Sequence, residues 1–140
     1  MKARDYLIRY RDAYRDAQDI ELHMAQLRLK YAAPSAIRYT DMPTAHDSNH
    51  DLSEYAAKMD ALEKMLIRKY TECIGIEVDI ITRLERMPVQ LEREVLRHRY
   101  TDITDKGKLC PFEQVAEKVG FSRRTVERVH GIALLHFPTD

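Results

Sequence analysis

The sequence predicts an all-α protein: a long, coiled-coil-like antiparallel helical hairpin followed by a C-terminal helix-turn-helix. Two heptad stripes of apolar residues predict the hairpin, and a corner of small residues at Ala116 and Gly120 predicts the rest. Composition agrees, because 4 glycines in 140 residues and few β-branched runs favour helices over strands. Hydrophobic residues at 44% and charged residues at 33% supply both a core and a solvated surface, which excludes global disorder.

The first stripe is Tyr6, Tyr10, Ala13, Ala17, Ile20, Met24, Leu27 and Tyr31. Its steps of four and three place all eight residues on one narrow seam of a helix. Arg11, Asp12, Arg15, Asp16 and Asp19 fill the other faces and read as a solvated surface with pairing one turn apart. Tyr6, Tyr10 and Tyr31 belong to the seam and Tyr14 flanks it, so the tyrosines are not read as a stacking platform for single strands. Pro34 ends the helix by disfavouring helical geometry at Ala33.

A polar linker is expected at about residues 32–50, with Pro43, Asp47, Ser48 and Asn49 inside it. A second helix is predicted over about residues 51–86. Its stripe is Leu52, Tyr55, Met59, Leu62, Leu66, Cys73, Ile76 and Ile80, interrupted at Lys69 and Tyr70. Asp51 with Glu54 three residues on resembles a capping box. Two such helices joined by one loop should pack antiparallel, and their open side calls for a further helix or a second chain. The expected domains are therefore residues 1–87, the hairpin, and residues 88–140.

Met87-Pro88 opens the second domain, with Pro88 placed in the first turn of a helix whose inner face is Leu91, Val95, Leu96 and Tyr100. Residues 101–111 read as a loop. Two short helices follow, at about residues 111–119 and 122–137. Ala116 is small enough for two helices to cross closely, and Gly120 suits the left-handed turn between them. Val115, Ala116, Val119, Gly120, Val126 and Val129 form the expected helix-turn-helix core, with Phe121 added to its apolar set. Ser122 is placed to cap the second helix.

The outward face at the start of that helix is Ser122, Arg123, Arg124, Thr125, Glu127 and Arg128. Formal net charge is zero, which argues against simple non-specific nucleic-acid binding. The charges are nevertheless uneven: acids outnumber bases over residues 32–87, whereas residues 121–137 hold three arginines against Glu127 alone. Such a patch suits duplex DNA, since arginine reads guanine O6 and N7 and also binds phosphate. Glu127 is suited either to accept from cytosine N4 or to orient an arginine. The residues leave open which contacts are to bases and which to phosphates.

Residues 92–100 and 112–137 together resemble region four of the sigma-70 family. The matching positions are Val95, Leu96, Arg99, Tyr100, Ala116, Gly120, Ser122, Thr125, Val126, Ala133 and Leu134, with Val115 standing for the usual Ile. The resemblance covers about the last third of the chain. More narrowly, the chain resembles small phage and prophage proteins of the ArpU-like kind. In these a helical hairpin and a linker with an Asp-Met-Pro-like segment precede the sigma-like part. Asp41-Met42-Pro43 and the helix over residues 52–66 fit that group. The resemblance implies a DNA-binding transcription regulator, with double-stranded DNA and RNA polymerase as partners. Nothing upstream resembles sigma region two, so the chain is not expected to act as a complete sigma factor. The loop over residues 101–111 is longer than the family's turn, and Leu135-His136-Phe137 lacks its closing basic residue.

Other chemistries find less support. His46 and His50, beside Asp47 and Asp51, lack the converging third ligand and cysteine partner of a metal site. His98, His130 and His136 are scattered and read as packing residues. No glycine loop for phosphate appears, nor any nucleophile arrangement, so neither an enzyme nor a cofactor is expected. Cys73 and Cys110 lack metal-type spacing and read as thiols of a reducing cytoplasm. No apolar run is long enough to span a membrane. The alternative expectation is a non-catalytic phage assembly or packaging adaptor acting through the hairpin, which would also mediate homo-oligomer formation.

Overall fold

The computed structural model describes residues 1–32 and 45–140, with the backbone alone for residues 45–51. Among the described residues the chain forms helices α1 (Ala3–Ala32), α2 (Ala45–Glu85), α3 (Gln90–Thr101), α4 (Phe112–Val119) and α5 (Arg123–His136), and no strand. By their contacts the residues form two compact units: Met1–Arg15 with Tyr70–Asp140, and Asp16–Lys69.

Two helix starts differ from the sequence expectation. α2 begins at Ala45, so Asp51 lies inside the helix and not at its start. Residues 45–50 contain no proline or glycine, and propensity alone costs such polar residues too little to stop a helix. α3 begins at Gln90 with Val89 as its cap residue, so Pro88 stands before the cap and outside the first turn. The Val89 carbonyl accepts from the Arg93 amide at 3.2 Å, and the Arg93 side chain donates to the Met87 carbonyl. Asp41-Met42-Pro43 lies outside the described residues.

In the first unit, the start of α1 meets the end of α2 in opposite chain directions. Arg83 stands over the Tyr6 ring, Arg9 pairs with Asp79 at 3.4 Å, and Tyr10 bonds Glu77. One core gathers Tyr6, Leu7, Tyr10, Cys73, Ile80, Leu84, Met87, Leu96, Tyr100, Ala133 and Phe137. A smaller core holds Val95, Cys110, Val115, Ala116 and Val126. α3 serves both, turning Leu96 and Tyr100 to the first and Val95 to the second. Leu7, Ile80 and Leu96 are fully buried, and burial of each such side chain stabilises the fold by about 1.5–3 kcal/mol. Glu92 is buried too, its two carboxylate oxygens bonded to His136 Nδ1 at 3.0 and 3.1 Å, which fastens the end of α5 to α3.

Two arginines reach the C-terminal residues, and Arg86 pairs with Asp140 Oδ1 at 4.0 Å. Arg83 Nη1 donates to the carbonyls of Pro138 at 2.9 Å and Asp140 at 3.2 Å. Arg9 and Arg83 both stand over Tyr6, whose ring also meets Phe137 at 5.6 Å.

The second unit is built from the remaining parts of α1 and α2. Ala17 and Met24 are buried, while Ile20, Leu27, Tyr31, Tyr55, Met59, Leu62 and Leu66 are half-buried along facing stripes. Tyr31 and Tyr55 pack ring to ring at 4.8 Å. Leu52, placed in the stripe by its spacing, is instead 60% exposed. It stands in the second helical turn, one turn beyond the last ring contact. Leu22 and Leu29 are also exposed.

Candidate nucleic-acid interface

The C-terminal corner is built by the short turn between α4 and α5. α4 buries Val115 and Ala116 and ends at Gly120, which adopts φ 79° and ψ 28°. A side chain is strained at that φ although the space around it is open. The Ala116 carbonyl accepts from the amides of Gly120 at 2.9 Å and Phe121 at 3.2 Å, which closes the helix end. Ser122 then caps α5, its Oγ accepting from the Thr125 amide at 3.2 Å. The Ser122 hydroxyl donates to Thr125 Oγ1 at 2.9 Å, so both side chains serve the cap.

Behind the turn, Val115, Ala116 and Val126 are buried with Val95 and Cys110, and Val119 and Val129 pack against them. Phe121 is 50% exposed and takes no part in this core. The left-handed step at Gly120 turns it outward.

A second layer braces the corner. Arg99 of α3 donates from Nη1 to the Cys110 carbonyl at 2.7 Å and stands 4.2 Å over the Phe112 ring. Phe112 meets His130 of α5 edge-on at 5.0 Å. His130 Nε2 is paired with the Tyr100 hydroxyl at 2.7 Å. Burial, then the charges of Arg99 and Arg4, lower the His130 pKa to about 4, so the ring is neutral at neutral pH. Asp102, at the end of α3, accepts from Lys118 and is paired with His98, both at 2.7 Å. Burial opposes ionisation of Asp102, but these two bonds outweigh it and lower its pKa.

The outward face of α5 begins with Arg123. Its Nη1 donates to Glu113 Oε1 at 2.8 Å and its Nε to Glu127 Oε1 at 3.1 Å. The Glu127 bond is the larger cause of a raised Arg123 pKa. Glu127 thus orients an arginine. Arg124 and Arg128 are exposed and have no ion-pair partner among the described residues. Glu113 was not among the expected site residues, because ten positions and a turn separate it from Arg123.

Cys73 and Cys110 are free and buried, and burial raises both thiol pKa values, which keeps them protonated and unreactive at neutral pH. No cluster of three metal-ligating side chains occurs among the described residues, and His46, Asp47, His50 and Asp51 lie outside those with described side chains. No helix of the described residues is long and apolar enough to cross a membrane. Comparison with protein-family models, curated proteins and solved structures finds no match for this chain.

Proposed function

We propose that the chain is a sequence-specific regulator of transcription that binds double-stranded DNA through α5. In this reading α4 and α5 form a helix-turn-helix of the sigma-70 region-four kind, encoded by a phage or prophage. The observation that carries it is the exposed start of α5. There Arg124 and Arg128 have no ion-pair partner among the described residues, and a glycine-closed, serine-capped turn fixes the helix against α4. An exposed cationic helix start of this kind suits the major groove, where its first residues reach base edges and phosphates. The α1–α2 hairpin docks a partner, either a second copy or RNA polymerase. The protein acts by binding in the cytoplasm, without catalysis or a cofactor.

Selection of bound duplexes from a random library tests the reading and yields the target. A palindromic winner implies a dimer. Changing Arg123 and Arg124 together to Ala weakens binding of the selected duplex, whereas unaltered binding contradicts the site.

One observation favours a second reading, a non-catalytic phage assembly or packaging adaptor. Leu22 and Leu29, one heptad apart on α1, are 58% and 68% exposed. That reading requires a defined oligomer with little duplex preference. Light scattering with and without duplex DNA separates the two.

A further inference from the structure

Arg123 is held at two atoms by acids from two helices. Glu113 belongs to the first turn of α4, and Glu127 lies one turn along α5 from Arg123. A lone surface ion pair orders little, because its net energy is small and both chains move. Two carboxylates at 2.8 and 3.1 Å, reaching different nitrogens, define the plane of the guanidinium as well as its position. A guanidinium carries five N–H groups. The acids use one at Nε and one at Nη1. One hydrogen of Nη1 and both of Nη2 remain for an acceptor beyond the two acids. Guanine O6 and N7 offer two acceptors to these unused donors.

Charge sharpens the choice. A phosphate approaching Arg123 meets two carboxylates already at hydrogen-bonding distance from the same group, and is repelled by both. Guanine has no net charge and escapes that repulsion. Arg124 and Arg128 lack acidic partners among the described residues and suit phosphates.

We propose that Glu113 and Glu127 are positioning residues that hold Arg123 as the guanine reader of the interface, leaving phosphate contacts to Arg124 and Arg128. This rests on duplex binding by α5. It predicts low affinity for arbitrary DNA together with strong dependence on one guanine.

The test uses the duplex selected by the unaltered protein, the same duplex with single guanines replaced by 7-deazaguanine, and a scrambled duplex. The unaltered protein loses about tenfold in affinity at one replaced guanine. Glu113→Gln keeps the side-chain shape but removes the charge. It binds the scrambled duplex more tightly and loses most of the 7-deazaguanine penalty, while Glu113→Asp restores both properties towards those of the unaltered protein. A Gln variant with unchanged penalty and unchanged scrambled-duplex affinity overturns the proposal, as does an unaltered protein indifferent to every replacement. If Arg124→Ala with Arg128→Ala weakens binding while Glu113→Gln is silent, this inference alone falls. If neither matters, duplex binding by α5 falls with it.

Discussion

The Phe121 amide donates to the Ala116 carbonyl at 3.2 Å, and this bond reaches back five residues because Gly120, between them, takes a left-handed conformation at φ 79°. The angle between α4 and α5 depends on this pair. Gly120→Ala meets no steric contact, so its cost is backbone strain, about 1–2 kcal/mol. Urea unfolding should show this loss. An unchanged midpoint would mean that the turn relaxes freely.

Leu7 is fully buried although it stands off the heptad stripe. Leu7→Ala should cost about 2–5 kcal/mol, the range for a buried leucine that leaves a cavity. A loss near zero in chemical denaturation would show that the start of α1 does not pack into the core that holds Leu96, Tyr100 and Phe137.

His130 should make stability depend on pH. Its pKa falls to about 4 in the folded chain, against 6.5 for an ordinary histidine. The unfolded chain therefore binds the proton more readily between those values. Stability is full above about pH 6.5, declines as pH falls towards 4, and loses nothing more from this residue below that. The ring is only half-buried, so solvent screening limits the effect to about 1–2 kcal/mol. His130→Gln should flatten the difference between unfolding midpoints at pH 7 and pH 5. An equal difference in both proteins would assign it to other groups.

Much of α1 was legible because a single period governs it. Every stripe position from Tyr6 to Tyr31 is buried or half-buried. Leu7 was not legible, because the start of α1 meets more than one neighbour and needs a wider apolar face than a two-helix seam. Asp51 illustrates the opposite error. A local capping pattern was present, but nothing upstream stopped the helix, which runs from Ala45. Phe121 misled in a third way, since hydrophobicity suggested burial and the turn geometry decided otherwise.

Within the candidate site, Arg123, Arg124 and Arg128 were legible from sequence, but their different surroundings were not. Glu113 pairs with Arg123 only because the turn brings the starts of α4 and α5 together. The burial of Glu92 was hidden for a similar reason, as its partner His136 is 44 residues away.

Salt-dependent binding of the selected duplex by the Arg124→Ala, Arg128→Ala double variant tests the central claim most directly. If both side chains contact phosphates, affinity falls and the slope of log affinity against log salt becomes shallower by about 2. Affinity and slope equal to those of the unaltered protein would contradict the assignment of α5 as the DNA-binding helix.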